Sequence, residues 1–353
     1  MVSSEFSQKI IWWYNLNKRN LPWRNTKDPY VIWLSEIILQ QTRVEQGLPY
    51  FQKFLEKYPS IHKLAAAEEQ QILRLWQGLG YYSRARNLHE TAKFISEKLD
   101  GRFPDSFKEL KKLKGVGDYT AAAIASFSFL EPVPVVDGNV YRVLSRYFGF
   151  DWDLSKSDTK GKFFEAAQSL IPERTPDTFN QAIMEFGALQ CKPKNPGCLM
   201  CPLVDSCEAF RLNKIHELPV KTKKQAKKEV YYYYIIFENN QKYLIKTRTG
   251  KGIWKGLNEF HLIDFEEAKK EEFILKKIEG YLSKAYSVKS ISEEVIHILS
   301  HRKIHAYFMH IEVEIEDFEL LKSKLGLNDA SLQEIEKVPK PILIDNYLNH
   351  IVF

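Results

Sequence analysis

The stretch LKKLKGVGDYTAAAIASF, residues 110–127, places two glycines between two helical patterns. Gly115 and Gly117 allow a tight turn whose backbone N–H groups point outward, where the next helix begins with the positive end of its dipole. A phosphate group fits such a turn. An ordinary helix–helix turn has the same pattern, so the stretch alone predicts a helical hairpin and leaves anion binding open.

Helical patterns also occupy the rest of the first 218 residues. Asp28-Pro29 opens an apolar-periodic run through Gln41, and Pro59-Ser60 precedes another helix. A lysine-rich linker is predicted at 219–229, because "VKTKKQAKKE" has the composition of a solvated segment.

Strand patterns replace the helical ones after this linker. They are VYYYYIIFE at 230–238, QKYLIKTR at 241–248 and HAYFMHIEVEIE at 305–316. The sequence therefore predicts an α + β multidomain protein, with an all-α region at 1–218 and a smaller α/β domain at 230–353.

The composition is that of a globular protein with several cores. The chain has 353 residues, of which 44% are hydrophobic, and a formal net charge of +6, which is compatible with a polyanionic partner. The N-terminal residues lack a signal-peptide core, and no run of eighteen apolar residues occurs. We expect an intracellular, cytoplasmic protein, associated with the nucleoid if bacterial, and no membrane contact.

All four cysteines lie in the short segment CKPKNPGCLMCPLVDSC, residues 191–207. Their spacing, C-x6-C-x2-C-x5-C, has a single CxxC pair, whereas structural zinc sites usually have two pairs or a histidine. His216 lies outside the segment. Four thiolates with a proline after the third suit a [4Fe-4S] cluster, and zinc is the alternative. The predicted ligands are Cys191, Cys198, Cys201 and Cys207.

Together these segments resemble the endonuclease III superfamily of helix-hairpin-helix DNA glycosylases. The hairpin precedes VPVVDGNVYRVLSR (133–146), similar to the aspartate-bearing segment of that superfamily, and the cysteine loop follows. LPWRNTKDPYVIWLSEIILQQTRV (21–44) and LWQGLGYYSRARNL (75–88) extend the resemblance to its adenine-specific, MutY-like branch. The resemblance implies a six-helix barrel module at about 28–137, and an iron–sulfur module from 1–27 and 138–218.

Two carboxylates are the candidate catalytic groups. Glu36 has mostly apolar helical neighbours, and burial among them would raise its pKa and keep a proton available, although an exposed glutamate is the commoner case. Asp137 precedes a helical pattern, where it would cap the helix and be held ionised by helix-end N–H groups. Release of a purine needs a proton on the base and stabilisation of a sugar cation, which this pair would supply.

The resemblance adds further site residues. Tyr119 and Asn139 would join the two carboxylates. Tyr119 stands where bifunctional relatives have a lysine, so it implies a monofunctional enzyme that uses water as the nucleophile. The residues implied to enter the base stack or to lie close to it are Leu39, Gln41 and Tyr81, and those implied to line the adenine pocket are Trp23, Arg24 and Gln181. For several of these, a place in the core or on a helix surface is the alternative.

The C-terminal domain resembles the Nudix-like recognition domain of the MutY-like branch. GIWKGLNEF (252–260) is similar to its Trp-Gly signature, but no acidic R-E-x-x-E-E helix follows, so we expect binding without pyrophosphate chemistry. Leu299, Ser300 and His301 occupy the place of a loop that senses 8-oxoguanine, with leucine in place of the usual phenylalanine.

The resemblance implies a monomeric enzyme that flips adenine out of double-stranded DNA and removes it opposite 8-oxoguanine or guanine. One alternative is a bifunctional glycosylase-lyase acting on oxidised pyrimidines, which Tyr119 disfavours. The other is a non-catalytic DNA-binding iron–sulfur protein, which the presence of both Glu36 and Asp137 disfavours.

Overall fold

The structure is a computed structural model that describes residues 2–222 and 227–350. The chain divides into two compact units. The first consists of Met1–Ala66 and Asn87–Lys223, and the second of Ala67–Arg86 and Lys224–Phe353. Part of the predicted linker, residues 223–226, lies outside the described residues, and the predicted domain boundaries stay predictions.

The first unit is helical, as predicted. Its helices are α1 (Val2–Asn17), α2 (Pro29–Leu39), α3 (Val44–Lys57), α4 (Ile61–Ala65), α6 (Ser83–Lys98, which begins in the second unit), α7 (Phe107–Leu110), α8 (Asp118–Phe129), α9 (Gly138–Phe148), α10 (Thr159–Gln168), α11 (Pro176–Leu189) and α12 (Glu208–Arg211).

Side-chain caps account for where several of these helices begin. The carboxylate of Asp28 accepts a hydrogen bond from the backbone N–H of Tyr30 at 2.8 Å, and Ser60 caps α4 through the N–H of Lys63. The end of α2 was predicted less well. The helix stops at Leu39, before the predicted end at Gln41, because the chain already leaves the helical conformation at Gln40.

The glycine turn joins α7 to α8 in the predicted helical hairpin. Gly115 has a φ of +76°, and a Cβ atom there would lie 2.8 Å from the Cβ of Asn87, so both the conformation and the space require glycine. Gly117 is different, because it has an extended φ and open space around it. It is the N-cap residue of α8 and leaves the helix N-terminus uncovered.

Helices α1, α9 and α11 surround an apolar core that includes Phe6, Leu144, Phe163 and Phe186. Three of the four cysteines pack against the edge of this core. Helix α9, which follows Asp137, and the cysteine segment therefore pack against the same core.

The second unit contains a mixed sheet. Its strands are β1 (Lys228–Asn239), β2 (Lys242–Thr247), β3 (Asn258–Glu259), β4 (His261–Phe265), β5 (Tyr286–Ile291), β6 (Val295–Ile298), β7 (Arg302–Val313) and β8 (Asn328–Ala330), and its other helices are α5 (Glu69–Leu75), α13 (Glu271–Glu279), α14 (Ile315–Leu325), α15 (Leu332–Lys337) and α16 (Ile342–His350). The main order is β3-β2-β1-β7-β5.

Strands β1 and β7 form the centre of the sheet and run parallel, with Lys228 opposite Arg302 and Glu238 opposite Glu312. β1 is buried almost continuously, as expected for a strand covered on both faces. The last predicted strand was too long. β7 ends at Val313 and α14 begins at Ile315, with Glu314 at its N-cap position, so the end of the segment through residue 316 is helical. Within the described residues, no helix is long and apolar enough to cross a membrane.

Candidate active site

Glu36 lies in the last turns of α2, and only 5% of it is exposed. Burial raises the pKa of its carboxyl group to about 7; a hydrogen bond with Tyr119 lowers the pKa, repulsion from Asp137 raises it, and the charge of Arg24 lowers it. The burial expected from its apolar neighbours is confirmed. A carboxyl group with this pKa keeps its proton in a large fraction of molecules near neutral pH, so it can act as a general acid.

Tyr119 lies in the first turn of α8, next to the hairpin glycines. Burial raises the pKa of its hydroxyl well above the ordinary value, and the nearby charges of Glu36 and Asp137 raise it further. The hydroxyl therefore keeps its proton and donates its hydrogen bond to Glu36. The hairpin therefore has two roles: it brings the Tyr119 hydroxyl into hydrogen-bonding contact with Glu36, and it leaves the N-terminus of α8 at the surface.

Asp137 is the N-cap residue of α9, as predicted. Its carboxylate accepts hydrogen bonds from the backbone N–H groups of Asn139 and Val140, both at 2.8 Å, and from Nδ2 of Asn139 at 2.7 Å. Burial raises the pKa of this carboxyl group, while the three donors lower it, and the net direction is upward. The helix-end donors could be predicted from the residues after Asp137, whereas the burial of its carboxyl group could not.

Asn139 is fixed from three directions. It donates to Asp137, and its Oδ1 accepts from Nη2 of Arg142 at 2.8 Å. It also packs against Gly187, where an added Cβ would lie 2.6 Å from the Cβ of Asn139. Arg142 and Gly187 were not among the predicted site residues. In the sequence, Arg142 is visible only as an arginine one turn after Asn139, and Gly187 only as a glycine within a helical pattern. Neither pattern shows that the residue contacts Asn139, because that contact depends on the fold.

The hairpin opens onto a cavity of about 1070 Å³ in the first unit. Its lining includes Gln40 and Gln41, which follow α2, then Gly115, Gly117 and Tyr119 of the hairpin, and Gly138 at the start of α9. Lys111 and Asp118 also line it and form an ion pair of 2.5 Å. The acidic residue beside the helix N-terminus is thus neutralised by a lysine of the same hairpin.

The three predicted base-pocket residues have different surroundings. Trp23 is buried, and its ring packs edge-on against Phe51 with 5.1 Å between centroids, as in a core position. Arg24 and Gln181 are brought together by Tyr14, which lies 5.5 Å below the guanidinium and donates its hydroxyl to Gln181 at 2.7 Å. Arg24 also forms an ion pair with Glu185, a residue that the sequence analysis missed.

Two of the predicted base-stack residues have strained backbones. Gln41, just after α2, has a φ of 55°, and Tyr81 has a φ of 48°. This left-handed region is unfavourable for a non-glycine residue, and such strain is concentrated at functional sites. Both side chains are exposed, Tyr81 by 44%. Leu39 is half-buried at the end of α2, where its Cδ2 would lie 2.7 Å from a Cβ at Gly47.

A second cavity, of about 320 Å³, lies within the second unit. Its lining includes Tyr81, Trp254, Leu299, Ser300 and His301. The structure therefore brings the predicted base-stack tyrosine together with the predicted sensing loop and with the tryptophan of the GIWKGLNEF segment. Ser300 and His301 are exposed and contact each other, with 3.1 Å between Oγ and Nδ1.

The four cysteines line one cavity and form no disulfide. Arg146 holds the segment: Nη1 lies 3.5 Å from Sγ of Cys191 and donates to the carbonyl of Lys192 at 2.7 Å. Within the described ranges, no three His, Cys, Asp or Glu side chains form a group that could hold a metal ion. A cubane cluster takes one thiolate at each of its four irons, so its ligands surround a cavity and do not meet at one point. The donor set and the shared cavity fit that arrangement.

The hairpin, the buried Glu36 and the capped Asp137 all lie within a region that matches a known protein family. Residues 34–173 match the model of the HhH-GPD superfamily of base excision DNA repair proteins, and residues 232–350 match that of the NUDIX domain. Among solved structures, a thermostable thymine-DNA glycosylase is 31% identical, covers 59% of this chain and 95% of its own, and has a TM-score of 0.55.

Two curated relatives narrow the class. The adenine DNA glycosylase of Buchnera aphidicola subsp. Schizaphis graminum is 40% identical over 71% of this chain and 73% of the relative. That of Buchnera aphidicola subsp. Acyrthosiphon pisum is 33% identical over 99% of this chain and 100% of the relative. The chain belongs to the adenine DNA glycosylase family.

Proposed function

We propose that this enzyme acts as a monomer on double-stranded DNA and removes adenine opposite 8-oxoguanine or guanine by hydrolysis, in base excision repair. The observation that carries the proposal is the buried Glu36, whose pKa is about 7 and which accepts a hydrogen bond from Tyr119 beside Asp137. The curated relatives, which are named adenine DNA glycosylases, support the choice of adenine.

The first step assigned to the protein is protonation of the base. Loss of adenine from deoxyribose leaves electrons on a ring nitrogen, and a proton from Glu36 neutralises them as the bond breaks. Tyr119 orients the acid. Because burial raises the pKa of Glu36, its proton is present at neutral pH, where an ordinary glutamic acid would already be ionised.

The second step is stabilisation of the sugar. Departure of the base leaves an oxocarbenium-like sugar with positive charge, and Asp137 supplies the opposite charge. Asn139 holds the carboxylate through its side-chain amide, and Arg142 holds Asn139 in turn. Water then adds to the sugar carbon and releases a proton, which restores the acid form of Glu36, and the products are an abasic site and free adenine.

Tyr119 also bears on the choice between the two glycosylase classes. A bifunctional enzyme needs an amine that forms a Schiff base with the sugar. A phenol cannot form one, so we propose hydrolysis without strand cleavage.

A single assay tests this function against the alternatives. The full chain is incubated with duplexes carrying A:8-oxoguanine, A:G, A:C or thymine glycol, with and without alkali and borohydride. We expect excision from A:8-oxoguanine and A:G, strand cleavage only after alkali, and no substantial covalent adduct on reduction. Cleavage of thymine glycol with efficient trapping would instead support the bifunctional enzyme, and binding without excision the non-catalytic protein.

We assign recognition of the partner base to the cavity of the second unit. Tyr81 offers an exposed ring on a strained backbone, suited to enter the stack when the adenine leaves. Ser300 and His301 line the same cavity and carry groups that can bond the N7–H and O8 of 8-oxoguanine. Guanine has neither the N7–H donor nor the O8 acceptor.

Replacing both Ser300 and His301 with alanine is expected to reduce discrimination between the two partner bases. Loss of one or two such hydrogen bonds corresponds to roughly 1–3 kcal/mol. Excision from A:8-oxoguanine should slow while that from A:G changes much less, as measured by kcat/KM on the two duplexes. The matched control is Ser323→Ala with His350→Ala, an exposed pair of the same unit outside the cavity. Equal losses on both duplexes would contradict the assignment.

We further propose that Cys191, Cys198, Cys201 and Cys207 hold a [4Fe-4S] cluster. The observation that supports it is a cavity lined by all four thiols, with an arginine donor at its edge. The cluster would fix the conformation of residues 191–207, since four covalent bonds replace the core that so short a segment lacks.

Protein purified without exposure to oxygen is expected to be brown and to contain about four irons per chain, as a cubane cluster requires. Iron and zinc are measured together by elemental analysis. Replacing any one of the cysteines with alanine should lower the iron content. A colourless protein with stoichiometric zinc would mean that the alternative metal is correct.

A further inference from the structure

The turn between α5 and α6 carries Tyr81, and its backbone is strained. Gly78, Gly80 and Tyr81 have φ values of 98°, 73° and 48°, so the left-handed region is used three times within this short turn. The two glycines tolerate this conformation, whereas the Cβ of Tyr81 opposes it. A strained residue keeps such a conformation only where its surroundings hold it there. The contacts that hold the turn therefore decide where the Tyr81 ring lies.

Arg84, in the first turn of α6, holds the turn by its carbonyl groups. The residue is only 8% exposed. Its Nη2 donates to the carbonyl oxygen of Leu79 at 3.3 Å and to that of Gly80 at 3.2 Å. Its backbone N–H donates to the carbonyl oxygen of Tyr81 at 2.8 Å. Arg84 therefore binds successive carbonyl groups of the turn, up to that of Tyr81 itself.

The guanidinium of Arg84 also contacts two aromatic rings. It lies 4.9 Å from the ring centroid of Trp76 and 5.7 Å from that of Tyr81. Both distances are within the range of a cation–π interaction. Burial lowers the pKa of the guanidinium to about 10, which is still well above neutral pH, so the group stays charged. The same buried cation therefore contacts the ring of Tyr81 and the backbone that carries it.

Trp76, at the end of α5, binds the same turn. Its ring is fully buried, and its Nε1–H donates to the carbonyl oxygen of Gly80 at 3.0 Å. This carbonyl oxygen thus accepts from both Trp76 and Arg84. Tyr81, in contrast, is 44% exposed and lines the cavity that also holds the predicted sensing loop. The buried side chains fix the turn and leave the Tyr81 ring accessible.

We propose that Arg84 is a positioning residue for Tyr81: it holds the ring in the exposed position from which the ring enters the base stack when the adenine leaves. This inference rests on the proposed function, because that function assigns entry into the stack to Tyr81. Arg84 is buried, so it acts through Tyr81 and does not itself bind a phosphate of the DNA.

The test is a double-mutant cycle on the full chain, with kcat/KM for excision from an A:8-oxoguanine duplex as the measured quantity. Tyr81→Ala should lower kcat/KM by roughly tenfold or more, as loss of one base–aromatic stack does. Arg84→Met has neither donor nor charge, and it should lower kcat/KM by about three- to tenfold, as expected for residues in contact. Because Arg84 acts through Tyr81, the double variant should be no slower than Tyr81→Ala alone.

A second readout follows the ring itself. A 2-aminopurine placed next to the 8-oxoguanine becomes more fluorescent when its stacking is disturbed, so it reports entry of Tyr81 into the duplex. Binding of the wild-type protein should raise the fluorescence, and both Tyr81→Ala and Arg84→Met should reduce this rise. The measurement does not require excision.

The matched control is Arg74→Met, the same substitution at an exposed arginine of α5, which should leave both readouts at their wild-type values. If Arg84→Met does not give a cooperative thermal unfolding transition, Arg84→Lys replaces it, because an ammonium lacks the planar group that stacks on the rings.

Two results would overturn the inference. One is a double variant whose loss equals the product of the two single losses, as a purely structural arginine would give. The other is a wild-type rise in fluorescence with the folded Arg84 variant. A wild-type protein that excises no adenine would instead refute the proposed function, and the fluorescence would still test the inference, so the two failures are distinguishable.

Discussion

Replacing Glu36 with glutamine is expected to abolish base excision and to leave DNA binding intact. The amide has the size of the acid and can still accept the hydrogen bond from Tyr119, but it carries no acidic proton for the leaving adenine. General acid catalysis contributes typically about 10²–10⁴-fold, so the rate should fall at least that far. Single-turnover excision and equilibrium binding to the same A:8-oxoguanine duplex measure the two quantities separately.

The control is Glu56→Gln, the same substitution at an exposed position of α3, which should excise adenine at the wild-type rate. The wild-type pH profile gives an independent check. Burial raises the pKa of Glu36 to about 7, and the active form is the protonated one, so activity should decline as the pH rises through that value. Excision by Glu36→Gln at a rate near that of the wild type would remove this residue from the mechanism.

Features set by neighbouring residues could be predicted from the sequence. The helix starts at Asp28-Pro29 and Ser60 depend on a side chain that bonds an N–H two or three residues away. The hairpin depends on the left-handed conformation of Gly115. The capping role of Asp137 depends on the three residues that follow it. The α + β class followed from the change of hydrophobic period near residue 220. The comparisons with known proteins confirm this class and the family.

Features that depend on distant contacts could not be predicted. Glu185 reaches Arg19 and Arg24 across more than 160 residues of sequence, and nothing in "NQAIMEFG" distinguishes it from an exposed glutamate. The contact of Gly187 with Asn139 also requires α9 and α11 to be packed. The end of β7 was missed for the opposite reason, since the alternation of apolar and acidic residues continues through "VEIE" (313–316), although α14 already begins at Ile315.

The pKa of Asp137 shows the same limit at the candidate site. The helix-end donors could be predicted from the sequence, and these do lower the pKa, but the degree of burial depends on which elements enclose the carboxylate. For Glu36 the apolar neighbours on its own helix correctly predicted burial and a raised pKa. This prediction succeeded because the residues that enclose Glu36 belong partly to α2 itself.

Replacing Asp137 with asparagine is expected to slow excision severely while the fold is kept. Asparagine caps a helix about as well as aspartate, so the N–H groups of Asn139 and Val140 keep a partner. What is lost is the negative charge beside the developing sugar cation. A preorganised charge in a site shielded from water is worth about 2.7–4 kcal/mol, which corresponds to a rate loss of about 10²–10³-fold in single-turnover excision.

The matched control for this variant is Asp28→Asn, the same change at the N-cap of α2 in the same unit. Both variants alter one cap and should shift the thermal unfolding temperature by similar small amounts, but only Asp137→Asn should lose excision. A second asymmetry comes from Nδ2 of Asn139, which donates to the Asp137 carboxylate at 2.7 Å and must find an oxygen on the substituted amide. If both variants excise adenine within a few-fold of the wild type, Asp137 is only a helix cap, and the cation must be stabilised by another group.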